Sequence, residues 1–214
     1  MSKLEPGMRA LVIGASGGIG RAMAMALGDR VGMGGVATLS RSADGLDIGY
    51  EASISAARDR VGGPFDMIFV ATGGLTVGHL GPERTIKALS VEGLEAQFRL
   101  NAIGPALLLK HFHDLLPRDR RAVFAVLSAR VGSIGDNRLG GWTSYRAAKS
   151  AVNQIVRTAS IEIARKRPKA IVVALHPGTV RTEMTEKYLA RHPSVSAEDC
   201  AQNLLNVMDG LTPE

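Results

Sequence analysis

Five apolar runs of strand length recur along the chain: MRALVIG (8–14), GVATLS (35–40), DMIFVAT (66–72), AVFAVLS (122–128) and AIVVALH (170–176). Each is continuously hydrophobic rather than alternating, the pattern of a strand buried on both faces of a sheet. LDI (46–48) reads as a further short strand. Between the runs lie longer amphipathic stretches with helical periodicity: GGIGRAMAMALGDR, EASISAARDRV, VEGLEAQFRLNAIGPALLLKHFHDLL, WTSYRAAKSAVNQIVRTASIEIARKR and SAEDCAQNLLNVMDGL. Strand and helix in alternation predict an α/β fold, a doubly wound Rossmann-type parallel sheet of six or seven strands with helices on both faces. No linker, repeat or low-complexity segment interrupts the 214 residues, so a single domain over 1–214 is expected.

Composition narrows the class. Hydrophobic residues at 45% and charged residues at 21% suit a water-soluble globule with a packed core. The single cysteine, Cys200, excludes an intrachain disulfide and a cysteine-built metal site, and points to a reducing, cytoplasmic compartment. MSKLEPGMRALVIGASG does not read as a signal peptide, and no run approaches the ~18 apolar residues of a membrane helix, so no membrane partner is expected. A net charge of +6 raises the question of nucleic acid, yet the basic clusters are short (RDRR at 118–121, RKRPK at 165–169) and aromatics are only 4%. Without stacking platforms no nucleic-acid partner is expected. Lys and Arg near helix C-termini account for the charge, and the positive field also suits a small anionic ligand.

The glycines gather at turns, and GASGGIG (14–20) is the most informative of them. Between a strand and a helix, such a turn sets the unpaired N–H groups of a helix N-terminus against phosphate oxygens. Gly14, Gly18 and Gly20 give G-x-x-x-G-x-G, with Ser16, Gly17 and Ile19 completing the cofactor-binding turn: a tight bend, close approach of a pyrophosphate, and helix–strand packing. An NAD site carries Asp or Glu at the end of the following strand. This chain has Ser40-Arg41-Ser42 there, with no acid before Asp44. Arginine suits the 2′-phosphate of NADP, so NADP is expected in preference to NAD.

Tyr145 and Lys149 lie four apart on one helical stretch and share a face. An ammonium beside a phenol lowers its pKa from about 10 and makes it a usable general acid or base. Pro105 has no N–H, so the carbonyl of Asn101 loses its helical partner and is free to bind a water. His111 and His113, two apart on a helix, cannot face one ligand, and no metal is expected.

Taken together, GASGGIG, YRAAK (145–149) and HPGTVRT (176–182) resemble the short-chain dehydrogenase/reductase family over residues 8 to about 210, in particular its compact C-factor-like or carbonyl-reductase-like members. The resemblance implies hydride transfer between NADP(H) and a carbonyl or alcohol. By position it makes Tyr145 the acid/base, Lys149 its activator and Asn101 the anchor of a proton-relay water. The family reads Ser-Ser-x-x-Gly with the second serine catalytic, whereas this chain reads Ser128-Ala129-Arg-Val-Gly132. Ser128 or Ser133 must then supply the hydroxyl, Ser128 ranked first although strand alternation points it away from the side of residue 129.

Further positions follow from the same resemblance. Ala71-Thr72-Gly73-Gly74 stands where the family has Asn-Asn-Ala-Gly beside the adenosine ribose. Pro177, Gly178, Val180 and Thr182 belong to the stretch that holds the nicotinamide carboxamide, and Asp47-Ile48 falls where the adenine is framed. The substrate loops are 75–85, 130–143 and 179–195; with Leu139, Trp142, Met184 and Tyr188 they suit a small hydrophobic ketone, aldehyde or quinone. A homodimer or homotetramer, paired through the helices at about 92–116 and 143–167, is also implied. The alternative is a catalytically silent NADP(H)-binding regulatory or signalling protein, which the missing second serine supports.

Overall fold

The computed structural model describes residues 7–186 and 193–213. In chain order the elements are β1 (Ala10–Ile13), α1 (Gly18–Val31), β2 (Val36–Leu39), the one-turn α2 (Arg41–Asp44), α3 (Glu51–Arg60), β3 (Met67–Val70), α4 (Val91–Phe98), α5 (Gly104–Phe112), β4 (Ala122–Leu127), α6 (Thr143–Ala164), β5 (Ala170–Leu175) and α7 (Ala197–Gly210). The strands form one parallel sheet in the order β2-β1-β3-β4-β5. The five long apolar runs all become strands, trimmed by at most two residues at either end.

Continuous hydrophobicity in these strands has a direct structural cause. Leu11, Ile13, Ile68, Val70, Phe124 and Val126 face one core, where Ile54 of α3, Leu108 and Phe112 of α5 and Val152 of α6 meet them. The intervening Ala10, Val12, Met67, Phe69, Val123 and Ala125 face a second core with Met23 and Leu27 of α1 and Leu204 and Met208 of α7. Successive side chains point to opposite faces, and over β1, β3 and β4 both faces are covered, so every position there is apolar; on the edge strand β2, Thr38 is exposed. The Arg30–Asp209 ion pair, 2.8 Å long, ties α1 to α7.

The sheet departs from expectation at its edge: among the described residues it has five strands rather than six or seven, and 46–48 is a loop. Gly45 (φ 68°) turns the chain out of α2; the Leu46 N–H then goes to Ser40 O (3.2 Å) and the Asp47 N–H to Ser53 Oγ (2.9 Å). Those donors are no longer free to pair with β2. Leu46 and Ile48 are buried all the same, and this loop burial imitates a strand in the sequence.

The long amphipathic stretch after residue 90 is likewise not one α-helix. Between α4 and α5, Arg99–Ile103 forms a π-helical segment, with the Gly104 N–H reaching back five residues to Arg99 O. Pro105 follows at once, and its ring cannot join an α-helical ladder. The wider turn absorbs the mismatch, as π-bulges do at functional sites.

The two basic clusters brace the fold. Arg120 pairs with Asp66 (2.6 Å), and Arg121 donates to the carbonyls of Met208 and Leu211 at the end of α7. Arg167 is buried and donates to Leu116 O (3.0 Å), while Lys169 donates to Asp119 O (2.7 Å). Among the described residues, no helix is long and apolar enough to cross a membrane, and no group of three or more His, Cys, Asp and Glu is arranged to hold a metal.

Candidate active site

The order of the strands reverses between β1 and β3, and the crevice outside their C-terminal ends is where doubly wound sheets bind ligands. The GASGGIG turn stands there. Gly14 adopts φ +92°, and a Cβ on it would lie 2.9 Å from the Ala71 carbonyl carbon; a Cβ on Gly20 would lie 2.1 Å from Gly14 O. Turn, helix and the Ala71–Thr72 backbone are thus in direct contact, which only glycine permits. Gly17 is the N-cap of α1 and has no side chain to satisfy its first-turn N–H groups. Ser16 is exposed at the bend, whereas Ile19 packs into the core beneath.

Across the crevice, a Cβ on Gly18 would lie 2.8 Å from Thr182 Cγ2. Ser16, Gly18, Arg21, Arg181, Thr182 and Ser196 line a cavity of about 440 Å³ there, together with Glu183, Ala197 and Glu198. Thr72 Oγ1 is buried without a hydrogen-bond partner among the described residues. A side-chain-free cradle, open helix N–H groups, arginines at the rim and an orphan hydroxyl together fit a phosphate-bearing cofactor.

Arg41 opens α2 and is exposed. Ser40 Oγ accepts from the Ala43 N–H (3.1 Å), and Asp44 Oδ2 accepts from the Ser40 N–H (2.7 Å). This reciprocal cap commits Asp44, the first acid after β2, to its own backbone. The Arg41 guanidinium has no hydrogen bond or ion pair among the described residues. Asp47 Oδ1 accepts from the Gly49 N–H (2.8 Å), and Ile48 packs against Gly104 at the start of α5.

Two of the expected catalytic residues, Asn101 and Lys149, converge on the ATGG turn. Asn101, fully buried in the π-helical segment, donates to Gly74 O (2.9 Å) and Gln97 Oε1 (2.7 Å) and accepts from the Gly74 N–H (3.1 Å). Lys149 is buried and donates to Leu127 O (3.1 Å), with its Nζ 5.9 Å from the centroid of the Tyr145 ring. A Cβ on Gly73 (φ +140°) would lie 2.8 Å from Asn101 Oδ1 and 3.3 Å from Lys149 Nζ. Only a glycine fits between them.

The electrostatics correct one expectation. Burial pushes the Tyr145 phenol up to about 12 and the Lys149 ammonium down to about 8. From its spacing alone Lys149 is expected to lower the phenol. Desolvation of both groups outweighs a cation lying 5.9 Å from the ring centre and already bonded to Leu127 O.

The two serines are separated. Ser128 N–H donates to Leu175 O (2.7 Å), so the β4–β5 ladder continues through it without a bulge. Its Oγ donates to Asn153 Oδ1 (2.6 Å), two turns along α6 from Tyr145. Ser133 is exposed, and its Oγ accepts from the Asp136 N–H (3.3 Å). Neither hydrogen-bonds to Tyr145.

In the Pro-Gly stretch, Gly178 (φ +78°) donates to His176 Nδ1 (3.1 Å), and Pro177 O accepts from Cys200 Sγ (3.5 Å). Val180 is buried and bridges to Val195. Thr182 Oγ1 meets Thr185 Oγ1 at 3.2 Å. Tyr188 and His192 lie outside the described residues. His111 faces Glu51 (2.8 Å) and His113 faces Leu109 O (3.0 Å), both structural contacts. Sequence reasoning missed Gln97, Asn153, Arg21 and Glu83. Asn153 was findable, since it continues the four-residue spacing of Tyr145 and Lys149.

The short chain dehydrogenase family model matches residues 45–192, more than half of the chain and the part that holds YRAAK and Asn101. The chain belongs to the short-chain dehydrogenase family. This member is 29% identical over 217 residues to 1-hydroxy-2-glutathionyl-2-methyl-3-butene dehydrogenase of Rhodococcus sp. (strain AD45), covering 95% of this chain and 92% of that one. It is 36% identical over 121 residues to C-signal of Myxococcus xanthus, covering 55% of this chain and 67% of that protein. Among solved structures, a short-chain dehydrogenase/reductase from Burkholderia multivorans with bound NADP superposes with a TM-score of 0.80 at 25% identity, covering 98% of this chain and 94% of that one. A small-chain dehydrogenase in complex with NADPH, at 21% identity and a TM-score of 0.76, covers 95% and 91% and has the same fold.

Proposed function

We propose that this family member is an NADP(H)-dependent oxidoreductase that moves hydride between the nicotinamide and a small hydrophobic carbonyl or alcohol, with Tyr145 as general acid/base. The observation that carries the reading is the convergence of Asn101 Oδ1 and Lys149 Nζ on Gly73, Lys149 lying one turn along α6 from Tyr145. The family match and the NADP-bound Burkholderia neighbour support the cofactor.

Gly14, Gly18 and Gly20 form the cradle for the pyrophosphate, Arg41 takes the 2′-phosphate, and the Thr72 hydroxyl gains its missing partner from the ligand. When bound, the nicotinamide supplies or accepts the hydride. Tyr145 gives its proton to the carbonyl oxygen in reduction and takes it back in oxidation. Lys149, when charged, steadies the phenolate, and Asn101 holds the ATGG turn against both. Leu139, Ile134 and Met184, all exposed on the surrounding loops, supply apolar surface for the substrate. Exposed Val91, Ile103 and Ile161 on the helices at 91–116 and 143–164 suit pairing of two copies, which light scattering would test.

The test is a titration with NADPH and NADH followed by a carbonyl panel read at the NADPH absorbance. Tight NADPH binding with turnover is expected. Binding without turnover on any carbonyl would instead support the silent regulatory reading, and would make Ala129→Ser the first substitution to try.

A further inference from the structure

The helix that carries Tyr145 begins awkwardly. Its N-cap, Trp142, lies at φ 54°, ψ 38°, and no side chain of that residue caps the first turn. A bulky residue in the left-handed region is strained and persists only where its surroundings hold it. Here they do. The Trp142 N–H donates to Glu83 O (2.5 Å), and the Arg146 side chain donates to Gly141 O (2.9 Å) and Gly140 O (3.2 Å).

The missing cap comes from the same distant residue. Glu83 Oε2 accepts from the Ser144 N–H (3.3 Å), and Oε1 accepts from the Ser144 hydroxyl, across 61 residues of sequence. Glu83 and Ser144 are 8% and 1% exposed. A Cβ on Gly93 would lie 3.6 Å from Glu83 Oε1, so the first turn of α4 closes the other side. No ion pair reaches Glu83 among the described residues, and the partial positive charge of the α6 N-terminus is what faces the carboxylate. A buried carboxylate is costly to hold, and this one is bonded wholly to the start of one helix.

The segment that ends in Glu83 is pinned at its other end too. Gly74 is bonded in both directions to Asn101, and Gln97 donates to Leu75 O (2.8 Å). Residues 74–83 therefore span from the Asn101 cluster to the turn that sets Tyr145. We propose that Glu83 is a positioning residue, capping α6 from the substrate loop so that Tyr145 is held in register with Asn101 and Gly73. This rests on Tyr145 being the acid/base. It adds that the loop and the reacting hydroxyl move together.

The experiment compares wild type, Glu83→Ala and Glu83→Gln. In the ligand-free chain, hydrogen–deuterium exchange is followed over 142–149 and over the β4 amides. In parallel, NADPH with 9,10-phenanthrenequinone as the probe substrate gives kcat, KM and the NADPH Kd. Glu83→Ala should exchange at least several-fold faster over 142–149 with β4 unchanged. Its kcat should fall about 10- to 100-fold, the scale of a misplaced catalytic group, with NADPH Kd held. Glu83→Gln keeps an acceptor for Ser144 and should recover part of both; it carries the test if the alanine variant does not fold. Unchanged exchange over 142–149 overturns the proposal whatever the kinetics. So does a kcat that falls only in step with NADPH affinity or with protection across β4. Absence of turnover in wild type would sink the enzymatic reading, while the exchange data would still decide what Glu83 holds in place.

Discussion

At Tyr145 and Lys149 the surrounding protein matters as much as the pair's own spacing. Burial leaves Tyr145 protonated at every ordinary pH and leaves Lys149 titrating near 8. On the proposed function, carbonyl reduction needs the phenol proton and the Lys149 ammonium, so kcat/KM should be flat well below pH 8 and fall above it as Lys149 loses its charge. A pH–rate profile checks this; a profile flat to pH 10 would mean that Lys149 either keeps its charge throughout or takes no part in the chemistry, and Lys149→Met separates the two. Tyr145→Phe should lower kcat by about 10² to 10⁴, the range for loss of a general acid, with the NADPH Kd nearly unchanged in a binding titration. Arg41 makes a separate prediction. Its guanidinium has no protein partner among the described residues, so Arg41→Ala should leave folding intact. Losing a hydrogen bond to a charged phosphate is worth about 1.5–3 kcal/mol, which predicts NADPH binding weakened about tenfold or more and NADH binding unmoved.

Between elements, the contacts that matter are made by backbone. A Cβ on Gly20 would meet Gly14 O at 2.1 Å, so Gly20→Ala must push α1 away from the turn. Cofactor binding should fail in that variant, seen by titration, while circular dichroism still reports the sheet and helices. The turn was legible in the sequence because glycine is the only residue that fits such an approach, and it announces itself by type. β1, β3 and β4 were legible because strands covered on both faces demand unbroken apolar runs, and β2 and β5 because their runs are nearly as apolar. LDI misled for the same reason: Leu46 and Ile48 are buried, and burial was the only thing the pattern reported. What decided against a strand was the destination of its N–H groups, Ser40 O and Ser53 Oγ, which no hydropathy pattern carries. The π-helical turn was half legible, since Pro105 marked a break but not the wider turn that answers it. Glu83 was illegible. Its role exists only once 61 residues of chain have folded back to place it under Ser144.

Across the whole molecule, a site built from buried titratable groups makes stability depend on pH in a way the site predicts. Lys149 drops from its ordinary 10.5 to about 8 on folding, so between those values the unfolded chain binds a proton that the folded chain does not. Stability therefore rises with pH through that window; below pH 8 the buried charge costs the fold roughly 3 kcal/mol. Two groups act in the opposite sense. The Cys200 thiol is pushed up from 9.0 to about 11 and Tyr145 from 10.0 to about 12, both by burial. Each keeps its proton in the folded chain after the unfolded chain has lost it, so each lowers stability as pH rises, Cys200 from about pH 9 and Tyr145 from about pH 10. The contributions of these three groups together peak between about pH 9 and 10. Urea denaturation from pH 7 to 10, run on wild type and Lys149→Met, isolates the lysine, because Cys200 and Tyr145 are common to both and cancel. The methionine variant should be more stable at pH 7 by about 2–3 kcal/mol, and its advantage should shrink steadily above pH 8. A constant difference across the range would mean that Lys149 keeps its charge in the folded chain, held by partners stronger than Leu127 O. The site would then be set for phenolate stabilisation before any ligand arrives, and the predicted fall in kcat/KM above pH 8 would go with it.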